Sequence, residues 1–310
     1  MKFAKIAATG SYLPSKILTN HDVAKMVDTS DEWIVQRTGI KQRHIATEQD
    51  TVVSMATAAA KAALQTAGLQ SKDLDMIIVA TCSAEYAFPS VACLLQAELG
   101  MPSCPAFDMQ AACSGFIYAL SVATQFIATQ QCKRVLLVGS EAMSRVVDWK
   151  DRSSCILFGD GAGAMILEAA DAPGILATHL QADGTCKDPL YLPTGGKVQM
   201  QGNTVFRLAV KWLSEVAKDA LDANKMQPSD IDWVIPHQAN IRIIQSTVKA
   251  LGIPLEKVVV TVDEHANTSA ASIPLALDLA IRDGRVQRGQ TLLLEAFGGG
   301  LTWGSALVRY

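Results

Sequence analysis

Leu74-Asp75-Met76-Ile77-Ile78-Val79, running into a helical stretch that ends at Leu99-Gly100-Met101, returns as Ile231-Asp232-Trp233-Val234-Ile235-Pro236, running into one that ends at Leu251-Gly252-Ile253. A repeat fixes an architecture before any single motif is read. Working outward, each strand follows an amphipathic helix, Ala56 to Ala67 in the first half and Leu208 to Ala223 in the second. Downstream, Ala111-Ala112-Cys113-Ser114-Gly115 opens one apolar helix and Asn267-Thr268-Ser269-Ala270-Ala271 opens another. Val135-Leu136-Leu137-Val138 then matches Leu292-Leu293-Leu294-Glu295, and Gly161-Ala162-Gly163-Ala164-Met165-Ile166-Leu167 matches Gly304-Ser305-Ala306-Leu307-Val308. The shared order predicts a duplicated α/β chain, residues 1–170 and 171–310, jointed near Asp171-Ala172-Pro173-Gly174 and packed as pseudo-twofold mates.

Composition narrows the function classes. The 310 residues are 49% hydrophobic and only 18% charged, against the ~25% usual for soluble proteins, so part of the surface is expected to be covered in a dimer or larger oligomer. With 27 basic and 30 acidic residues and a net charge of −3, no overall basic field is available for nucleic acid or an anionic membrane. Seven cysteines without C-x-x-C spacing predict neither a disulfide framework nor a zinc site, and point to reducing cytosol. The opening Met1-Lys2-Phe3-Ala4-Lys5 leads into too short an apolar run for a signal peptide. The uncharged stretch Met109 to Cys132 is broken by Ser114, Gly115, Ser121, Thr124, Gln125 and Thr129, which predicts a helix buried in protein rather than in lipid.

Cys113 stands just ahead of a helical run, where the dipole and free N–H groups are expected to lower its thiol pKa and to hold an oxyanion. An inert buried cysteine is the bland alternative, and it describes several of the other six. His237, in Pro236-His237-Gln238-Ala239-Asn240, follows a strand end, where α/β sites form. Asn267 could simply cap a helix, but the repeat sets it near the counterpart of Cys113. Gly298-Gly299-Gly300 allows backbone N–H groups to approach a ligand without a Cβ in the way. A cysteine, a histidine, an asparagine and a glycine loop, without a phosphate-binding loop, point to covalent acyl chemistry. Gly159-Asp160-Gly161-Ala162-Gly163 runs into a strand rather than a helix, and predicts close packing between strands.

With these residues in place the chain resembles, end to end, the β-ketoacyl-[acyl-carrier-protein] synthase III family of the thiolase superfamily. The resemblance is carried by Gly10-Ser11-Tyr12-Leu13-Pro14, Thr29-Ser30-Asp31-Glu32-Trp33-Ile34, Arg37-Thr38-Gly39-Ile40, Ala111 to Phe116, Pro236 to Asn240, Asn267 to Ser272 and Phe297 to Gly304. It implies a thiolase-like, five-layer αβαβα fold, a cytoplasmic homodimer, and condensation of acetyl-CoA with malonyl-ACP, with no cofactor beyond the CoA thioester and no metal. Cys113, His237 and Asn267 would be catalytic, with the N–H groups of Cys113 and Gly299 as the oxyanion hole. Trp33, Arg37, Arg152, Phe206 and Asn240 would contact CoA or substrate, and Phe88 would close the primer pocket across the dimer. The acidic acyl-carrier protein would dock on Gln238, Arg242, Lys249, Arg207 and Lys211. A thiolase would need a second reactive cysteine near the C-terminus, whereas the last here is Cys186; a non-catalytic partner subunit would lack the nucleophile. Two departures stand out: Ala266 replaces the family's usual glycine and is expected to shift Asn267 slightly, and the stretch Thr194 to Asn203 is short.

Overall fold

The computed structural model describes residues 2–310. The first half forms β1 (Phe3–Tyr12), α1 (Asp31–Thr38), α2 (Val52–Ala67), β2 (Met76–Ala80), α3 (Val91–Glu98), β3 (Ala106–Met109), α4 (Gly115–Ala128), β4 (Arg134–Ala142) and β5 (Asp160–Ala170). The second forms β6 (Ile175–Ala182), α5 (Gly202–Ala223), β7 (Trp233–Pro236), α6 (Ile241–Leu251), α7 (Ser272–Arg282), β8 (Thr291–Gly298) and β9 (Thr302–Arg309). Local chemistry sets several of these boundaries. Thr51 and Ser54 make a capping box at the start of α2, which stops at left-handed Gly68; Asn240 caps α6, which stops at left-handed Gly252.

The strands form two main mixed sheets, ordered β1-β5-β4-β2-β3 and β7-β8-β9-β6. In the first, β2 pairs in parallel with β3 and β4, while β5 is antiparallel to β4 and β1. In the second, β7 and β8 are parallel, and β9 is antiparallel to β8 and β6. The repeat therefore superposes β1-β5-β4-β2 on β6-β9-β8-β7. The counterpart of β3 is reduced to a bridge between Val234 and Val258.

Alternation along the strands sorts the apolar side chains into layers. Ile77, Val79, Leu136 and Val138 pack on α2 and α3; Ile78, Ala80 and Leu137 pack on α4 and α7. From the second sheet, Leu292, Leu294 and Ala306 face the same α4–α7 layer, and Val234, Leu293 and Leu307 face α5 and α6. The result is the five-layer αβαβα arrangement, with α4, the uncharged helix, buried at its centre.

The layers approach to backbone contact where glycine permits. A Cβ on Gly139 of β4 would lie 2.4 Å from the Ala270 carbonyl oxygen, and one on Gly163 of β5 would lie 2.7 Å from the Leu275 nitrogen. Gly163 thus serves contact between strand and helix, which corrects the expectation of packing between strands at that position, while a Cβ on Gly161 would meet both the Tyr12 carbonyl of β1 and Leu275 of α7. The reason is that β5 crosses directly over the first turn of α7.

Gly139→Ala should push Ala270 and the start of α7 away from the sheet. We expect a loss of about 1–3 kcal/mol in denaturant unfolding, the usual cost of overpacking. Gly184→Ala, where an added Cβ meets nothing within 4 Å, should change stability far less.

Candidate active site

Cys113 is the middle residue of a single 3-10 turn, Ala112–Ser114, that leads into α4. Its mate in the repeat is the turn Ser269–Ala271 leading into α7. Both turns begin on a non-glycine residue in the left-handed region, Ala112 (φ 46°) and Ser269 (φ 50°). The equivalence therefore pairs Cys113 with Ala270 and sets Asn267 three residues ahead of that position. The two turns pack together, an added Cβ on Gly115 falling 3.8 Å from the Ala270 Cβ.

The glycine loop closes over Cys113 from the other side. A Cβ on Gly298 would stand 2.7 Å from the Cys113 nitrogen, and one on Gly299 3.7 Å from the Ala112 Cβ. Thr302, just beyond the loop, donates to the Ala111 carbonyl at 3.0 Å and lies 2.7 Å from the Ser114 hydroxyl. The triglycine is thus a tethered turn placed against the backbone of Cys113.

His237 is buried, and burial pushes its imidazole down to about 3, so the ring is neutral at physiological pH. Its Nδ1 lies 2.6 Å from the Ser272 hydroxyl, which already accepts the Gln238 N–H at 3.3 Å. Among the described residues the Ser272 hydroxyl meets no acceptor other than Nδ1, so its proton is assigned there and the imidazole proton to Nε2, as a donor. Asn267 accepts the Ser269 N–H on Oδ1 at 2.9 Å, which leaves its amide NH₂ as the free end. Both side chains are therefore set to donate. Ala266 adopts φ 57° and ψ −160°, a region that is essentially glycine's, while Asn267 itself is held by its N–H to Leu157 O at 2.9 Å and by Gly159 N–H to its carbonyl at 3.0 Å.

Glu141 lies fully buried beneath the turns. It accepts from the Thr81 hydroxyl (3.1 Å), the Cys82 N–H (3.1 Å), the Ser83 hydroxyl and the Ser269 hydroxyl (2.9 Å). Burial pushes the Cys113 thiol up to about 11, with Glu141 acting in the same direction and Ser269 against it. This corrects the expected lowering: the helix terminus is present, but desolvation of the thiolate outweighs it. Burial and the neighbouring Glu141 push the thiol of half-buried Cys82 up as well.

Two guanidinium groups approach the ring of Trp33 on α1, Arg37 at 4.5 Å and Arg152 at 4.8 Å from its centroid. Arg152 also donates to the Asp28 carbonyl at 2.8 Å. This cluster offers an aromatic ring with two cations, a surface suited to a nucleotide base and phosphate. Arg242 stacks over Phe206 at 5.4 Å, joining α6 to α5, and Arg207, Lys211 and Lys249 are exposed. Asn240 caps α6 through its Oδ1 to the Ile243 N–H at 2.9 Å.

Gln238 departs from the expected docking role. It is fully buried, donates to the Pro236 and Val259 carbonyls, and accepts the Thr261 and Val262 N–H groups. It ties β7 to the segment that replaces a fifth strand, so no carrier can reach it. Phe88, 86% exposed, points away from the chain's own body. Ser269, Ser272, Glu141 and Thr302 went unassigned by sequence reasoning; the one available signal was a lone carboxylate in the apolar run Val135 to Ala142.

The 3-oxoacyl-[acyl-carrier-protein] synthase III family model matches residues 107–184, and the model of that family's C-terminal part matches residues 221–310. Over 100% of its length the chain is 56% identical to a β-ketoacyl-[acyl-carrier-protein] synthase III of Methylococcus capsulatus, covering 99% of that protein. It is 58% identical, over 99% of this chain and 100% of the relative, to a β-ketoacyl-[acyl-carrier-protein] synthase III 1 of Vibrio vulnificus. Among solved structures, the 3-oxoacyl-[acyl-carrier-protein] synthase III of Aquifex aeolicus superposes with a TM-score of 0.97 at 50% identity, over 99% of this chain and 100% of that one.

For a thiol whose pKa is held near 11, the thiolate fraction below that value rises tenfold with each pH unit. Alkylation of Cys113 by iodoacetamide, followed by peptide mass mapping from about pH 6 to 8, should rise by about tenfold per unit. A plateau in that range would mark a thiolate already formed, and the helix terminus as the dominant influence.

Proposed function

The chain belongs to the 3-oxoacyl-[acyl-carrier-protein] synthase III family, condensing acyltransferases of fatty-acid synthesis, and on that premise we propose that it joins acetyl-CoA to malonyl-ACP through an acetyl-Cys113 intermediate. The Cys113 sulfur attacks the thioester carbonyl, the N–H groups of Cys113 and Gly299 hold the oxyanion, and the C–S bond to CoA breaks. The thiol proton leaves with CoA as CoASH. Malonyl-ACP then loses carbon dioxide, and the electron pair of the broken C–C bond passes into the thioester as an enolate. His237 Nε2 and the Asn267 NH₂ donate to that enolate oxygen. The enolate carbon attacks the acetyl carbonyl, the bond to Cys113 breaks, the released thiolate takes up a proton from solvent to restore the thiol, and acetoacetyl-ACP departs.

One observation carries this assignment: His237 and Asn267 both have their acceptor atoms occupied, by Ser272 and Ser269, and both present donors. Decarboxylation needs no base, because the departing carboxylate supplies the electrons. A neutral imidazole and an amide fit that requirement, whereas an imidazole with a free acceptor would suit proton abstraction.

CoA is assigned to the face formed by Trp33, Arg37 and Arg152, together with Phe206 and Asn240. A second copy of the chain is assigned to the exposed Tyr86–Phe88 loop and the outer edge of β3, the border strand of its sheet. Residues 1–170 and 171–310 are taken as the two repeat units. No helix among the described residues is long and apolar enough to cross a membrane. The carrier protein, being acidic, is assigned to Arg242, Lys249, Arg207 and Lys211.

Incubation with isotopically labelled acetyl-CoA should place the acetyl group on Cys113, and label on another cysteine would overturn the nucleophile. In His237→Ala or Asn267→Ala, malonyl-ACP decarboxylation should fall by about 10²–10³-fold, the usual loss for one oxyanion donor, while acetyl transfer survives in part. Equal loss of both half-reactions would count against donors devoted to the enolate.

Charge reversal at Arg242 and Lys249 to Glu should raise KM for malonyl-ACP and flatten its salt dependence, because rim charges govern encounter. Acetyl-CoA kinetics should change little. Unchanged kinetics with malonyl-ACP at low salt would move the docking surface elsewhere.

A further inference from the structure

Glu295 takes no part in the chemistry above, and its setting is unusual. It lies within β8, wholly buried, and neither carboxyl oxygen has a hydrogen-bond partner among the described residues. Buried polar groups are nearly always paired, so an orphan of this kind calls for an explanation. Leu292, Leu294 and Ala296 face the central helices, whereas Leu293, Glu295 and Phe297 face the α5–α6 side. Across the sheet Glu295 pairs with Pro236 of β7 and Ser305 of β9, and Ser305 donates its hydroxyl to the Val216 carbonyl of α5 instead.

The same residue is a junction in the backbone. Its carbonyl accepts the His237 N–H at 2.7 Å, and three residues later Gly298 meets the Cys113 nitrogen. We propose that Glu295 is a positioning residue that must remain an uncharged carboxylic acid, letting β8 hold the His237 backbone and the glycine turn in register, and that its ionisation loosens both. The catalytic consequence rests on the roles given to His237 and Cys113 above.

Burial alone pushes the Glu295 carboxyl up to about 8, so the change of charge falls just above neutrality. None of the surrounding elements supplies a compensating cation. β7 carries no charged residue, and Arg309 of β9 lies at the far end, opposite Thr291. On α5, Arg207, Lys211, Glu215, Lys218, Asp219 and Asp222 are all exposed, as are Arg242 and Lys249 of α6. The 3-10 turn brings only the Cys113 thiol, α4 brings Tyr118, whose hydroxyl bonds the Gln181 carbonyl, and His237 is neutral. With Cys113 near 11 and His237 near 3, neither titrates where Glu295 does.

The test compares the wild type with Glu295→Gln and Glu295→Leu, both neutral at every pH. The wild-type rate of malonyl-ACP decarboxylation should fall above about pH 8, approaching tenfold per pH unit, as a single ionisation requires. Glu295→Gln should hold its neutral-pH rate over that range, with KM for acetyl-CoA unchanged. The infrared difference spectrum, wild type minus Glu295→Gln, should show a protonated-carboxyl band that disappears through the same pH range. A flat wild-type profile, the same alkaline limb in both proteins, or no titrating band would overturn the proposal. If neither neutral variant folds at pH 7, a neutral side chain does not suffice and the proposal fails. The infrared band is independent of catalysis, so a wrong assignment of Cys113 would appear in the acetyl mapping while leaving that titration intact.

Discussion

Contact between the two helix starts in the central layer is the constraint on which the molecule depends. The turns at Ala112–Ser114 and Ser269–Ala271 pack together, under Gly298 on one side and over Glu141 on the other. Side chains larger than those of Gly115, Gly139 and Ala270 would separate them. The duplication is what makes the contact possible, because only two copies of one unit bring equivalent helix ends to a common centre. In the proposed reaction one copy supplies the nucleophile, and the other supplies the asparagine and, through Ser272, the anchor for the histidine.

Enclosure at that centre sets the electrostatics. Desolvation acts on every ionisable group there in one direction, against charge. Cys113 remains a thiol, His237 a neutral ring and Glu295 an acid. A site built of neutral donors is well matched to the proposed reaction, whose charge appears only during the bond change, since the same donors strengthen as an enolate or oxyanion forms in a dry setting. The expectation of a lowered thiol pKa considered the helix end alone and could not include the depth at which that end is buried.

The fold was legible because the repeat lies in apolar runs whose spacing depends on local structure. The Met76–Ala80 and Trp233–Pro236 strands, and the helix after Cys113, were all visible as patterns. Cys113, His237 and Asn267 stood out because strand and helix ends can be found by the same patterns. What could not be read was the direction of individual polar groups. Gln238 sits beside His237 in the chain yet turns inward to bridge β7 and Thr261, and nothing in Pro236-His237-Gln238 distinguishes that from an exposed amide. Ser272 looked like any small residue at a helix start, although its hydroxyl sets the tautomer of His237. Glu141 and Glu295 are similar in sequence, each a lone carboxylate in an apolar strand, but one gathers several donors and the other none.

Ala266 shows how far the surroundings can override a local preference. Its backbone lies where a Cβ is disfavoured, at a cost on the order of 1–3 kcal/mol, so the residue should by itself relax and carry Asn267 with it. The bonds from Asn267 N–H to Leu157 and from Gly159 N–H to Asn267 prevent this, tying the strained residue to the segment that enters β5. Two backbone hydrogen bonds contribute about 1–3 kcal/mol together, comparable to the strain. The Asn267 carbonyl and N–H are therefore fixed by β5, its side-chain oxygen by Ser269, and only the amide NH₂ remains for substrate. Substituting alanine for glycine here acts on stability first, because the position of the donor is set by bonds that alanine leaves in place.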